Sequence, residues 1–205
     1  MYFAFINAIY KLYKPIHPSI INVNRVQGQS HFAIAPVVGV IHGSVTANNY
    51  FDIPAFRDKG YGPLIGVMGH YFITGKWSIS TGMNYHRINY RRKVPFEGAY
   101  KTNHWNIPVL INYRLIDHAF SPYFSAGGVV SSRSTYLDVA IARPKFATAF
   151  DFTIGAGVIY KPTSRVSWII QPLWQKEVAP KPNSAILPKY NASKVSLQVQ
   201  MLIQL

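Results

Sequence analysis

The fold that the sequence predicts is all-β: an eight-stranded antiparallel up-and-down transmembrane β-barrel. Three observations predict it. From residue 31 onward, apolar and polar residues alternate with a period of two. Short connections alternate with long ones along the chain. The polar strand faces carry almost no charge, which collects instead in and near the long connections.

The alternation is clearest at the C-terminus, KVSLQVQMLIQL. Val195, Leu197, Val199, Met201, Ile203 and Leu205 share one face; Ser196, Gln198, Gln200 and Gln204 share the other, with Leu202 the exception. A strand places successive side chains on opposite faces, so this segment has one greasy side and one neutral polar side. WNIPVLINYRL sets Trp105, Ile107, Val109, Ile111, Tyr113 and Leu115 against Asn106, Pro108, Leu110, Asn112 and Arg114. FDFTIGAGVIYK and KWSISTGMNYH repeat the pattern. Taken in order, strands are expected near 31–45, 61–73, 76–91, 102–115, 119–132, 146–161, 165–178 and 191–205. The first contains the longest apolar run, Phe32 to Ile41, interrupted by Pro36 and Gly39. That run is too short for a membrane helix, which needs roughly 18 apolar residues, so any crossing must use strands.

Three connections are tight, around Gly75, Asp117-His118 and Pro162-Thr163-Ser164. Four are long: 46–60, 92–101, 133–145 and 179–190. In an up-and-down barrel the long connections share one end, and the tight turns share the other with both termini. Outer-membrane barrels have this layout, with even strand numbers and short periplasmic turns. Residues 1–30 read as a leader or a periplasmic extension preceding a barrel of residues 31–205. Met1 to Tyr10 is apolar but lacks the basic start and small-residue cleavage site of a secretory signal.

Alternation alone does not say which face is outside. A soluble lipocalin-like ligand-binding barrel also has eight strands, with its apolar set inward. Two features favour apolar side chains outside. Water-facing strands usually carry Lys and Glu, whereas these polar faces carry Ser, Thr, Asn, Gln and Gly. The apolar faces also begin and end in aromatics: Trp77 to Tyr85, Trp105 to Tyr113, and Phe152 to Tyr160. Each pair spans a height of roughly 20 Å on tilted strands, near the spacing of the two aromatic girdles flanking a lipid-facing band. Trp168 and Trp174 add to this girdle at closer spacing.

Composition agrees. Only 14% of residues are charged and 15% are aromatic. There is no cysteine, which excludes disulfide frameworks, thiolate metal sites and cysteine nucleophiles. The formal charge is +14, from 21 Lys+Arg against 7 Asp+Glu. So basic a chain attracts anions. The basic segments lack the interleaved aromatics of a nucleic-acid module, so no nucleic-acid partner is expected. On an outer membrane the available anion is lipopolysaccharide phosphate, and Arg91, Arg92, Lys93, Arg133, Arg143 and Lys145 are the candidate contacts.

WNIPVLINYRL, the following FSPYFSAGG, FTIGAGVIYK and the alternating last strand together resemble the PorT-like outer-membrane β-barrel domain family of Bacteroidetes. The resemblance covers residues 31–205 and rests on strands and turns. It implies an eight-stranded outer-membrane protein and, as for some members, association with type IX secretion or gliding machinery and its other membrane or periplasmic proteins.

Direct signs of chemistry are few. The seven histidines, His17, His31, His42, His70, His86, His104 and His118, show no close metal-ligand spacing. His70 and His86 are placed on neighbouring strands, with His86 inward. Asp151 and Glu177 also read as inward, near the outer rim, where buried carboxylates need Arg or Lys partners. With Gln198 and Gln200 these form an expected polar network in the lumen. Arg114, Lys161 and Arg165 are read inward at the tight-turn end. Leu110, Ile159, Ile169, Leu173 and Leu202 add bulk to a bore that eight strands leave only wide enough for side chains. No cofactor, metal or catalytic set is assigned. The expected role is a non-enzymatic structural or accessory subunit. The alternatives are the soluble ligand-binding barrel and a lipid A-modifying enzyme.

Overall fold

A computed structural model describes residues 31–47, 56–92, 98–137, 145–178 and 190–205. Eight strands form one closed antiparallel barrel in chain order: β1 (Phe32–Ala47), β2 (Phe56–Phe72), β3 (Trp77–Arg92), β4 (Gly98–Arg114), β5 (Phe120–Leu137), β6 (Lys145–Tyr160), β7 (Val166–Glu177) and β8 (Tyr190–Gln204). β1 closes the ring, pairing with β2 (Val38 opposite Ile65) and with β8 (Val38 opposite Val199). Closure leaves no edge. In lipid, where no water can satisfy a bare N–H or C=O, an open sheet could not survive.

Every expected strand is present, and the three tight connections are the expected ones. At the first, the Thr74 hydroxyl accepts from the Trp77 amide at 3.0 Å. At the third, the Thr163 hydroxyl does the same for Val166 at 3.1 Å. The strands differ from the sequence reading mainly at the other end. β2 begins at Phe56 rather than 61, β4 at Gly98 rather than 102, and β5 runs to Leu137 rather than 132. In these extensions both faces are polar, as with Arg57 and Lys59 outside and Asp58 inside, so the ladder continues where the hydropathy alternation stops.

The apolar faces point outward. Val38, Val40, Val109 and Ile111 are 55–62% exposed around the barrel wall. A soluble ligand-binding barrel has the inverse arrangement, so that alternative is overturned. Leu110, Ile159, Ile169, Leu173 and Leu202 fill the bore as expected, joined by Ile41, Leu64, Met68 and Ile88. Glycines make room for this packing. A Cβ on Gly127 would collide with the Val109 carbonyl oxygen and lie 2.9 Å from Leu110 Cα. On the outer wall the Phe150 ring lies over Gly128, where it covers backbone that a side chain would otherwise shield.

Candidate functional site

The lumen is built in tiers. Towards the tight-turn end, Asn112 Nδ2 donates to Ser80 Oγ at 2.9 Å, and Ser125 Oγ donates to Asn112 Oδ1 at 2.7 Å. Gln171 Nε2 reaches Ser125 Oγ at 3.0 Å from β7, across Gly155 and Gly157 of β6. His70 bonds Gln200 at 3.1 Å, and Gln198 donates to Ser196 at 3.2 Å. These side chains bond one another in a bore that holds them away from bulk solvent, with His70 Nδ1 left without a partner.

The charged tier lies towards the long connections. Lys194 Nζ donates to Asp151 Oδ2 at 2.7 Å, and Ser131 Oγ donates to the same oxygen at 3.3 Å. Glu177 stands opposite Asp151 in the ladder and meets Arg133 at 3.5 Å. Tyr100 donates to Asp58 at 2.8 Å and stacks on Tyr90. His86 stacks on His104, with ring centroids 4.5 Å apart and planes 15° apart. An imidazole binds a metal in its own plane, so two near-parallel stacked rings cannot share one ion. Among the described residues no group of three His, Asp or Glu could hold a metal.

His70 and His86 are on neighbouring strands, but His70 faces Ser80 and His86 faces Leu64, so the ladder separates them. The partner of His86 is His104. That pairing was legible: once Tyr85 is set beside Trp105 as a girdle pair, the next inward positions are 86 and 104.

At the tight-turn end Arg114 pairs with Asp117 at 2.7 Å and donates to the Gly75 carbonyl oxygen. Burial, and then the nearby Arg114, lower the pKa of Lys161 below the usual lysine value, with Asp117 opposing. Arg165 is exposed at this end.

On the outer wall the girdle residues fall into two bands. Near the tight turns Trp77 packs on Tyr113 at 4.6 Å, and Tyr160 stands opposite Trp168. Phe120, absent from the sequence reading, stacks on Tyr160 at 4.3 Å. Nearer the long connections Tyr85 packs on Trp105 at 4.9 Å. Phe152 and Trp174 stand outward on β6 and β7. At and beyond this second band polar outward residues join apolar ones such as Phe150 and Val178, and among the described residues the charged outward ones are basic: Arg57, Lys59, Arg87, Arg91, Lys101 and Lys176. The described acids of this half, Asp58, Asp151 and Glu177, all point into the lumen. Lys59 and Arg91 stand directly opposite each other, an arrangement that is destabilising without an anion.

Of the residues expected to contact phosphate, the structure shows only the orientation. Arg91 belongs to this basic collar. Arg133 does not: its strand parity turns it inward beside His104, where it meets Glu177. The Arg92 and Lys145 side chains lie outside the described residues, as do Lys93 and Arg143 and the whole of 1–30. Arg57, Lys59, Lys101 and Lys176 were not singled out from the sequence as outward cations. For Lys101 and Lys176, outward parity relative to Trp105 and Trp174 was the available signal.

No protein-family model matches the chain, and no curated protein matches it in sequence. Solved structures do match in fold. Neisserial surface protein A is 17% identical with a TM-score of 0.56, and the match covers 87% of this chain and 100% of that one. The outer membrane protein OprG from Pseudomonas aeruginosa is 13% identical with a TM-score of 0.55, covering 87% and 98%. With its closed ring, outward apolar wall and paired aromatic bands, this chain has the fold of the eight-stranded outer-membrane β-barrels.

Proposed function

We propose that the chain is a non-enzymatic outer-membrane barrel with a filled lumen and its termini in the periplasm. In this reading it is a structural or accessory subunit that works through its outer wall and long connections. The observation that carries the reading is the collar. Five outward cations cluster on the adjacent strands β2, β3 and β4 at and beyond the second aromatic band, with Lys176 a sixth on β7, while the described acids of that half face inside. This charge pattern suits the phosphates of lipopolysaccharide, and like charges such as Lys59 and Arg91 become favourable neighbours once an anion bridges them. Buried Ile41, Leu64, Leu110, Ile169 and Leu202 support a role other than that of a general porin. Asn112, Ser80, Ser125 and Gln171 are occupied in mutual bonds across the bore, which favours scaffold over catalysis at that tier. The resemblance to PorT-like proteins gives the accessory role one concrete setting, type IX secretion or gliding machinery.

The test is lipopolysaccharide adsorption by the refolded barrel at increasing ionic strength. Binding is expected to weaken with salt and to fall about tenfold in a Lys59→Glu/Arg91→Glu variant. Unchanged binding in that variant would overturn the assignment of the collar.

A further inference from the structure

The second aromatic band has a notch. On β5 the outward residues at this height are Val130, Ser132 and Ser134, small side chains between Trp105 of β4 and Thr148 of β6. Two hollows of about 300 and 380 Å³ meet there and share Trp105 and Ser132. Both are open grooves in the outer wall rather than enclosed cavities.

The two halves differ in chemistry. The half nearer the membrane centre is walled by Met83, Ile107, Val130 and the Trp105 ring. The outer half is walled by Tyr85 and Tyr136 over Ser132, Ser134 and Asn103. The Asn103 carboxamide oxygen is buried there without a hydrogen-bond partner. A buried acceptor left bare is costly, and this one borders the outer hollow. Arg87 stands opposite Asn103 in the ladder, and Lys101 lies two residues further along β4; both are exposed and face outward. From the membrane centre outward, the slot therefore presents an apolar channel and an aromatic wall with an unsatisfied acceptor, and two cations stand on the strands beside its outer end.

We infer that this slot seats one acylated, phosphorylated sugar lipid of the lipid A type. An acyl chain lies along Met83, Ile107 and Val130. The sugar stacks on Trp105 and donates a hydroxyl or amide hydrogen to Asn103. Arg87 and Lys101 hold the phosphate. The occupant is fixed by the combination: a two-chain phospholipid has an acyl chain and a phosphate but no saccharide face for the ring and the bare acceptor. The inference rests on the membrane orientation proposed above, but it concerns a discrete site rather than the diffuse attraction of the collar.

The test is native mass spectrometry of the refolded full chain released from detergent. The probes are bis-phosphorylated lipid A, its dephosphorylated form, and phosphatidylglycerol. One lipid A per barrel is expected, with occupancy falling about tenfold in Ser132→Trp, which fills the slot, and also for the dephosphorylated lipid. Ser134→Tyr is the second variant, and a heat-modifiable gel shift confirms that each is folded. Equal lipid A occupancy in folded Ser132→Trp or Ser134→Tyr, or equal retention of phosphatidylglycerol, overturns the inference. Lys59→Glu/Arg91→Glu lies outside the slot. If that variant leaves bulk adsorption unchanged while Ser132→Trp loses the bound lipid, the collar reading fails and the slot stands. The reverse pattern sinks the slot alone.

Discussion

Lys194 of β8 and Asp151 of β6 form an ion pair of 2.7 Å inside the barrel, reaching past β7 to do so. Both side chains are sealed from solvent. Removing one charge strands the other, which typically costs about 3–5 kcal/mol in a buried pair, whereas replacing both costs far less. Lys194→Met should therefore destabilise the barrel strongly, and Lys194→Met/Asp151→Asn should recover most of the loss. Urea unfolding in lipid vesicles measures both. Equal stability of the single variant and the parent would mean that water or a nearby group already compensates Asp151.

Lipid contact along the outer wall makes a depth-dependent prediction. Val109 lies midway between the aromatic bands, and Asn89 stands among the collar cations. Val109→Arg should cost about 2–4 kcal/mol, and Asn89→Arg about 0–1 kcal/mol. The same unfolding assay in vesicles separates them. Similar costs at both positions would contradict a membrane band between the two girdles.

Two glycines should respond very unequally to one added methyl group. Gly127→Ala drives a Cβ against the Val109 carbonyl, and the strand must shift, at a cost of about 1–3 kcal/mol. Gly75, in the turn between β2 and β3, has open space at its Cβ position, so Gly75→Ala should change stability by no more than about 0.5 kcal/mol. Thermal or denaturant midpoints of the two variants check the contrast.

The fold was legible because a strand in lipid must alternate, and its alternation survives in residues such as Val195 to Ile203. The same rule explains what was missed. Beyond the second aromatic band neither face touches lipid, so FRDKG at 56–60 and RSTYL at 133–137 carry no hydropathy signal, although the ladder runs through them. Inward Ile41, Leu64 and Met68 were not assigned because β1 and β2 are apolar on both faces. Pairs across the ring, such as Asp151 with Lys194, depend on how the barrel closes, which no local pattern encodes. Arg133 was placed by its nearness to a long connection, whereas strand parity decides which way a side chain points. Arg87 and Lys101 follow from that parity.

The hydrogen-bonded wall does not stop where the lipid does. From Tyr85 to Arg92 β3 continues for seven residues, which at roughly 3.3 Å each and a tilt near 40° is a rise of about 18 Å. β2, β4 and β5 accompany it. The described wall thus ends in a stiff, fully paired rim well beyond the second aromatic band. Side chains on that rim, Lys59, Arg91 and Lys101 outside and the stacked Tyr90 and Tyr100 inside, are held at a fixed height on paired backbone, with little backbone entropy left to lose on meeting a partner.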